Sequence, residues 1–242
     1  ITGPASEIGE ELATNPIVRK LSFTGSTEIG KILLQKCSGT VKKVSMELGG
    51  HAPFIVFNDA NIDDAVAGAI QSKFRNTGQT CVCANRIYVQ EKVHDEFCSK
   101  FVDAVSKIKV GDGLNEENAS GPMIDEHSLS KVEEHVQDAL QYGAKVAIGG
   151  SKHSLGMNFY QPTILTEVPP EAKITTEETF GPVAPIYKFK DEKEVIKLAN
   201  NSPYGLASYF YSRDIGRIWR VAEALEYGMV AVSYTHLTLP TT

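Results

Sequence analysis

Three short stretches of this 242-residue chain hold residue types that can do chemistry. The first is Phe74-Arg75-Asn76-Thr77-Gly78-Gln79-Thr80-Cys81-Val82-Cys83, where a helical pattern ends near Gly78 and Cys81 falls on the connection to a β-rich run at Arg86. A small polar turn gives a thiolate the access and backbone N–H donors that a nucleophile needs. Elsewhere a cysteine is usually a small buried hydrophobe. The second stretch, Met46-Glu47-Leu48-Gly49-Gly50, sets a carboxylate at a strand's end beside paired glycines. Glu47 is a general base if apolar neighbours raise its pKa, and a turn-flanking surface acid if they do not.

The third stretch is Gly25-Ser26-Thr27-Glu28-Ile29-Gly30-Lys31-Ile32, between a strand and a helix. Gly25 allows close backbone approach, and Ser26 and Thr27 bring hydroxyls to a helix N-terminus, which favours an anion such as phosphate. A plain N-cap is the other reading. The run almost spells a P-loop, but Ile32 lacks the hydroxyl that would hold Mg²⁺. P-loop-like nucleotide binding is therefore the remote alternative. A lone Cys-x-Cys with no second pair and no nearby His makes a poor zinc site, so no metal is expected.

Alternating β-rich and amphipathic helical patterns must position these residues, which predicts an α/β fold. Strands are expected at Leu21–Thr24, Val44–Leu48, Phe54–Phe57, Arg86–Gln90, Lys145–Ile148, Val183–Phe189, Ala207–Tyr211 and Met229–Val232, the last of these buried. Helices are expected at Thr27–Cys37, from an Asn61 cap to about Asn76, at Val93–Ile108, Ser128–Tyr142, Glu192–Ala199 and Asp214–Glu226. The uncharged decapeptide after Val232, residues 233–242, has no helical period and reads as a non-native tail.

Hydrophobic residues make up 42% and charged residues 22%, the balance of a globular protein with a sizeable core. With 24 Lys and Arg against 30 Asp and Glu, net charge −6 and no basic run, a nucleic-acid partner is disfavoured. No apolar stretch approaches the ~18 residues of a membrane span. Four unevenly spaced cysteines make no disulfide framework and point to a reducing compartment. No secretory signal opens the chain, but it starts at Ile1 rather than Met, so that absence fixes no compartment.

Glu-Leu-Gly-Gly at 47–50, Phe-x-Asn-x-Gly-Gln-x-Cys at 74–81 and Glu-Glu-Thr-Phe-Gly-Pro at 177–182 resemble, in order and separation, three signatures of the NAD(P)-dependent aldehyde dehydrogenase superfamily. The resemblance runs from Asn15 to about Val232. Cys81-Val82-Cys83, the 51–57 run and Lys73-Phe74-Arg75-Asn76 resemble its succinate-semialdehyde branch most. His51 departs from the commoner Lys, Asn or Leu; it is expected to pack beside the site without a catalytic role.

The resemblance implies a fragment: residues 1–48 end a Rossmann-like cofactor domain, and 49–232 form most of an α/β catalytic domain. It implies oxidation of succinate semialdehyde to succinate, as in GABA degradation, with another aldehyde as the alternative. Cys81 would be the nucleophile, forming a thiohemiacetal and then a thioester. Glu47 would activate the hydrolytic water. Gly25, Ser26, Leu48, Glu178 and Phe180 would bind NAD or NADP, and Arg75 the substrate's distal carboxylate. Cys83 would be a redox-regulatory partner of Cys81. A homo-oligomer, dimer or tetramer, is implied when the protein is complete, in the mitochondrial matrix of a eukaryote or the cytoplasm of a bacterium. The 242 residues alone are expected to lack turnover.

Overall fold

The computed structural model describes residues 1–234. Of the tail expected to be non-native, residues 235–242 lie outside the described residues. The chain divides into two compact units, Ile1–Gly49 and Gly50 to its end.

The first unit is a helix followed by a βαβ motif: α1 (Ala5–Thr14), β1 (Lys20–Thr24), α2 (Thr27–Ser38) and β2 (Lys43–Glu47). β1 and β2 pair in parallel, as a helical crossover between them requires. Ala13, Leu21, Leu33 and Cys37 form its small core.

The second unit runs β3 (Ala52–Val56), α3 (Ile62–Phe74), β4 (Ala84–Gln90), α4 (Glu91–Val105), α5 (Glu126–Gln141), β5 (Lys145–Ile148), β6 (Thr163–Thr166), α6 (Lys173–Thr176), β7 (Val183–Phe189), α7 (Glu192–Asn200), β8 (Ala207–Tyr211), α8 (Ile215–Ala224) and β9 (Met229–Val232). Its sheet has the order β5-β6-β7-β4-β3-β8-β9, parallel except for the β5–β6 pair. β3 and β8 are buried at every residue, as expected where helices cover both faces. Strand alternation sorts their side chains into two cores. Phe54, Val56, Ile87, Val89, Tyr209 and Tyr211 pack towards α3 and α4, whereas Ile55, Phe57, Tyr88 and Phe210 pack towards α7 and α8.

Three elements escaped the sequence reading: α1, β6 and the single-turn α6. β9 is half-buried rather than buried, because among the described residues it is the last strand of the sheet and has a neighbour on one side only. The helix expected to reach Asn76 stops at Phe74, where a tight turn over Arg75–Gly78 takes over.

Candidate active site

The sheet order brings two of the three motifs to Gly50, the last residue of the first. β7, β4 and β3 are parallel neighbours, so their amino ends share one edge of the sheet. Gly50 precedes β3, Cys81 precedes β4 and Gly181 precedes β7. The Gly50 N–H donates to Glu178 Oε1 at 2.9 Å. A Cβ on Gly50 would lie 2.2 Å from the Cys81 carbonyl oxygen, and one on Gly78 (φ +73°) 2.2 Å from that of Gly181. Backbone meets backbone at both points, so only glycine fits.

The turn carrying Cys81 is strained and clamped. Asn76 (φ 51°) and Thr77 (φ 56°) both lie in the left-handed region, which costs roughly 1–3 kcal/mol per residue and persists only where the surroundings impose it. Asn76 Nδ2 donates to the Gln79 carbonyl at 2.9 Å, and Thr77 Oγ1 donates to that of Gly121 at 3.1 Å. Gln79 spans to the neighbouring loop: its Nε2 donates to the Pro122 carbonyl at 3.2 Å, and its Oε1 accepts from Ile124 N–H at 2.9 Å. Beyond Cys81, Tyr209 Oη donates to the Val82 carbonyl at 2.7 Å. Cys81 itself is half-buried.

A buried polar chain underlies this turn. Lys73, fully buried, donates to Asn85 Oδ1 at 2.8 Å, and Asn85 Nδ2 donates to the Gly50 carbonyl at 3.3 Å. Burial pulls the Lys73 pKa down, with Cys83 and Glu178 opposing it. Cys83 is 1% exposed and its thiol donates to the Lys73 carbonyl at 3.2 Å. Burial pushes that thiol's pKa up, against the Lys73 ammonium. All four cysteines are free.

Arg75 caps α3; its guanidinium is exposed and has no carboxylate partner among the described residues. Phe180 is exposed in the left-handed conformation (φ 52°). His51 is buried, with Nε2 donating to the Thr175 carbonyl at 3.0 Å. Burial first, then Arg86, pushes its pKa down to about 3, so the ring is neutral near pH 7.

In the first unit, Ser26 is the N-cap of α2, its Oγ accepting from Ile29 N–H at 3.4 Å. Gly25 N–H donates to the Glu47 carbonyl at 3.1 Å, tying the turn to β2. A Cβ on Gly25 would come within 2.4 Å of Phe23 Cζ. Leu48 packs over Gly30, where a Cβ would lie 2.6 Å from its Cδ2. Glu47 ends β2 with its side chain exposed.

The sequence reading missed Gln79, the Lys73–Asn85 pair and the close approach of Gly78 to the Gly181 carbonyl.

The aldehyde dehydrogenase family pattern matches residues 1–239. Over 233 residues the chain is 59% identical to succinate-semialdehyde dehydrogenase [NADP(+)] of Escherichia coli, covering 96% of this chain and 48% of that protein. It is 58% identical to the 3-sulfolactaldehyde dehydrogenase of Pseudomonas putida, again over 96% of this chain and 48% of the relative. The crystal structure of succinate-semialdehyde dehydrogenase from Burkholderia pseudomallei superposes with a TM-score of 0.98 at 53% identity, covering all of this chain and 50% of that one. The chain thus spans about half the length of the relatives it matches. It belongs to the aldehyde dehydrogenase family.

Proposed function

We infer that this chain carries the thiol chemistry of an NAD(P)-dependent dehydrogenase for aldehydes that end in an anionic group, succinate semialdehyde foremost. One observation carries the reading: Cys81 sits half-buried on a strained, clamped turn whose carbonyl abuts Gly50, beside Glu178.

Each unit, taken by itself, holds groups suited to part of a dinucleotide. α2 is a twelve-residue helix opening at Ser26, and its N-terminus suits the charge of a diphosphate. Leu48, half-buried over Gly30, offers an apolar wall. Glu178 is a half-buried carboxylate, an acceptor suited to ribose hydroxyls, and Phe180 exposes a ring to lie against a nicotinamide. NAD or NADP, when bound, supplies the two-electron oxidant. Cys81 attacks the aldehyde carbon as thiolate, and its backbone N–H donates to the oxygen that becomes negative. Once the carbon held on Cys81 is a thioester, a base must take a proton from the water that releases the acid, the role that the family resemblance implies for Glu47, exposed at the end of β2.

Arg75, exposed and without a carboxylate partner, would pair with the distal anion. Succinate semialdehyde, glutarate semialdehyde and 3-sulfolactaldehyde, for which relatives at 58–59% identity are named, all end in such a group. The choice among them is a second reading. The rat relative is named mitochondrial, so compartment follows the source organism. A homo-oligomer belongs to the same reading.

The test is a full-length hybrid in which this chain replaces the matching segment of the Escherichia coli relative. We expect kcat/KM at least ~100-fold higher for succinate semialdehyde than for butanal, about 2.7 kcal/mol. Arg75→Ala should remove most of that margin and spare butanal. Equal losses for both aldehydes would reject Arg75, and equal rates in the parent hybrid would reject the anionic substrate class.

A further inference from the structure

His135 of α5 plays no part in the chemistry proposed for Cys81, yet it is 1% exposed with both ring nitrogens engaged. Nδ1 lies 3.0 Å from Thr179 Oγ1, and Nε2 lies 3.3 Å from Glu177 Oε2. A carboxylate only accepts, so the ring proton sits on Nε2 and Nδ1 accepts from the Thr179 hydroxyl. Burial, followed by Lys131, lowers the His135 pKa against Glu177 and Glu134, which favours this neutral ring.

One turn earlier on the same helix face, Val132 closes on Gly181, where a Cβ would lie 2.3 Å from Val132 Cγ2. Residues 177, 179 and 181 are thus all seated on α5. Glu178, between the two that His135 grips, reaches the other way to Gly50 N–H. Glu177 is extended (φ −106°, ψ 142°), and in extended backbone successive side chains point to opposite sides. The grip on 177 and 179 therefore fixes which way Glu178 faces.

We propose that His135 is a positioning residue for the cofactor, holding Glu178 towards the nicotinamide ribose by bridging Glu177 and Thr179. This rests on the reading of Glu178 as the ribose acceptor. His135→Phe keeps a ring in the space and removes both polar contacts. Glu177, whose side chain is 54% exposed, then turns to water. Thr179→Val removes one hydroxyl from a residue that is 2% exposed and barely changes the volume.

The experiment titrates NADPH fluorescence and measures steady-state kinetics on the hybrid enzyme. His135→Phe should weaken NADPH binding tenfold or more and leave the aldehyde KM within twofold. Thr179→Val should move the same way by a smaller factor, which keeps the test open if His135→Phe fails to fold. In a double-mutant cycle, adding either change to Glu178→Ala should weaken NADPH no further than Glu178→Ala alone, within twofold. Additive losses would overturn the positioning role and leave Glu178 standing. Wild-type NADPH affinity in Glu178→Ala would overturn both.

Discussion

Gly50→Ala gives the sharpest test of how the sheet builds the site. The added Cβ would sit 2.2 Å from the Cys81 carbonyl oxygen, whereas real Cβ atoms essentially never come under 3.0 Å. The contact is with backbone, so no flexible side chain can swing aside, and the Cys81 turn or the start of β3 must move by about 0.8 Å. Tyr209, holding the Val82 carbonyl, and the Glu178 bond to Gly50 N–H both resist that movement. A misplacement near 1 Å at a reacting atom costs on the order of 100-fold in rate, about 2.7 kcal/mol. The assay is kcat/KM of the hybrid enzyme, with thermal melting in parallel and the alkylation rate of Cys81 by iodoacetamide in the chain itself. Gly113→Ala is the control, since a Cβ there meets nothing within 4 Å; it should behave as wild type. If Gly50→Ala kept more than a third of the parent kcat/KM, the steric argument would be refuted.

Three further outcomes are expected. Gly78→Ala combines a φ of +73° with a Cβ 2.2 Å from the Gly181 oxygen, and should lower stability by about 1–3 kcal/mol in urea unfolding; an unchanged midpoint would contradict it. Burial pushes the Asp59 pKa up, but hydrogen bonds from Arg213 N–H, Ser212 and Asp214 N–H, with the Arg217 guanidinium, hold it below its ordinary 3.8. Its contribution is therefore present above its unfolded pKa and lost as pH falls through the lower folded value. Asp59→Asn should cost about 1–3 kcal/mol near pH 7, and the gap from wild type should close in acid below about pH 4; a gap constant with pH would count against it. Brief iodoacetamide treatment of the folded chain should give one adduct, on Cys81. Cys37 and Cys83 are 2% and 1% exposed, and burial followed by Asp95 pushes the Cys98 thiol up to about 11. Comparable labelling of Cys83 would argue against the buried thiol.

Much of the fold is legible in local pattern. Lys145–Ile148, Val183–Phe189 and Ala207–Tyr211 are strands with the bounds their apolar runs predict, and Asn61 caps α3 through Asp63 N–H. The elements that escaped are short or weakly marked. β6 has four residues after Pro162 and exists because β5 and β7 pair with it on either side. α6 is a single turn whose Ile174 joins the core under α5. Such segments carry too little periodicity to declare themselves, and their hydrogen bonds are decided by distant partners.

The same division separates the residues of the site from their arrangement. By itself the sequence determined the βα alternation, the caps, and the order and chemical types of the three motifs, because propensity and pattern act over a few neighbouring residues. Only the tertiary structure decided that β3, β4 and β7 lie side by side with their amino ends together, so that Gly50 abuts Cys81 and Gly78 abuts Gly181. It also made Cys83 a buried residue two positions from the half-buried Cys81, and set Glu178 opposite the two neighbours held by His135. Those outcomes depend on strand order and on contacts between residues up to 128 positions apart, which no local pattern encodes.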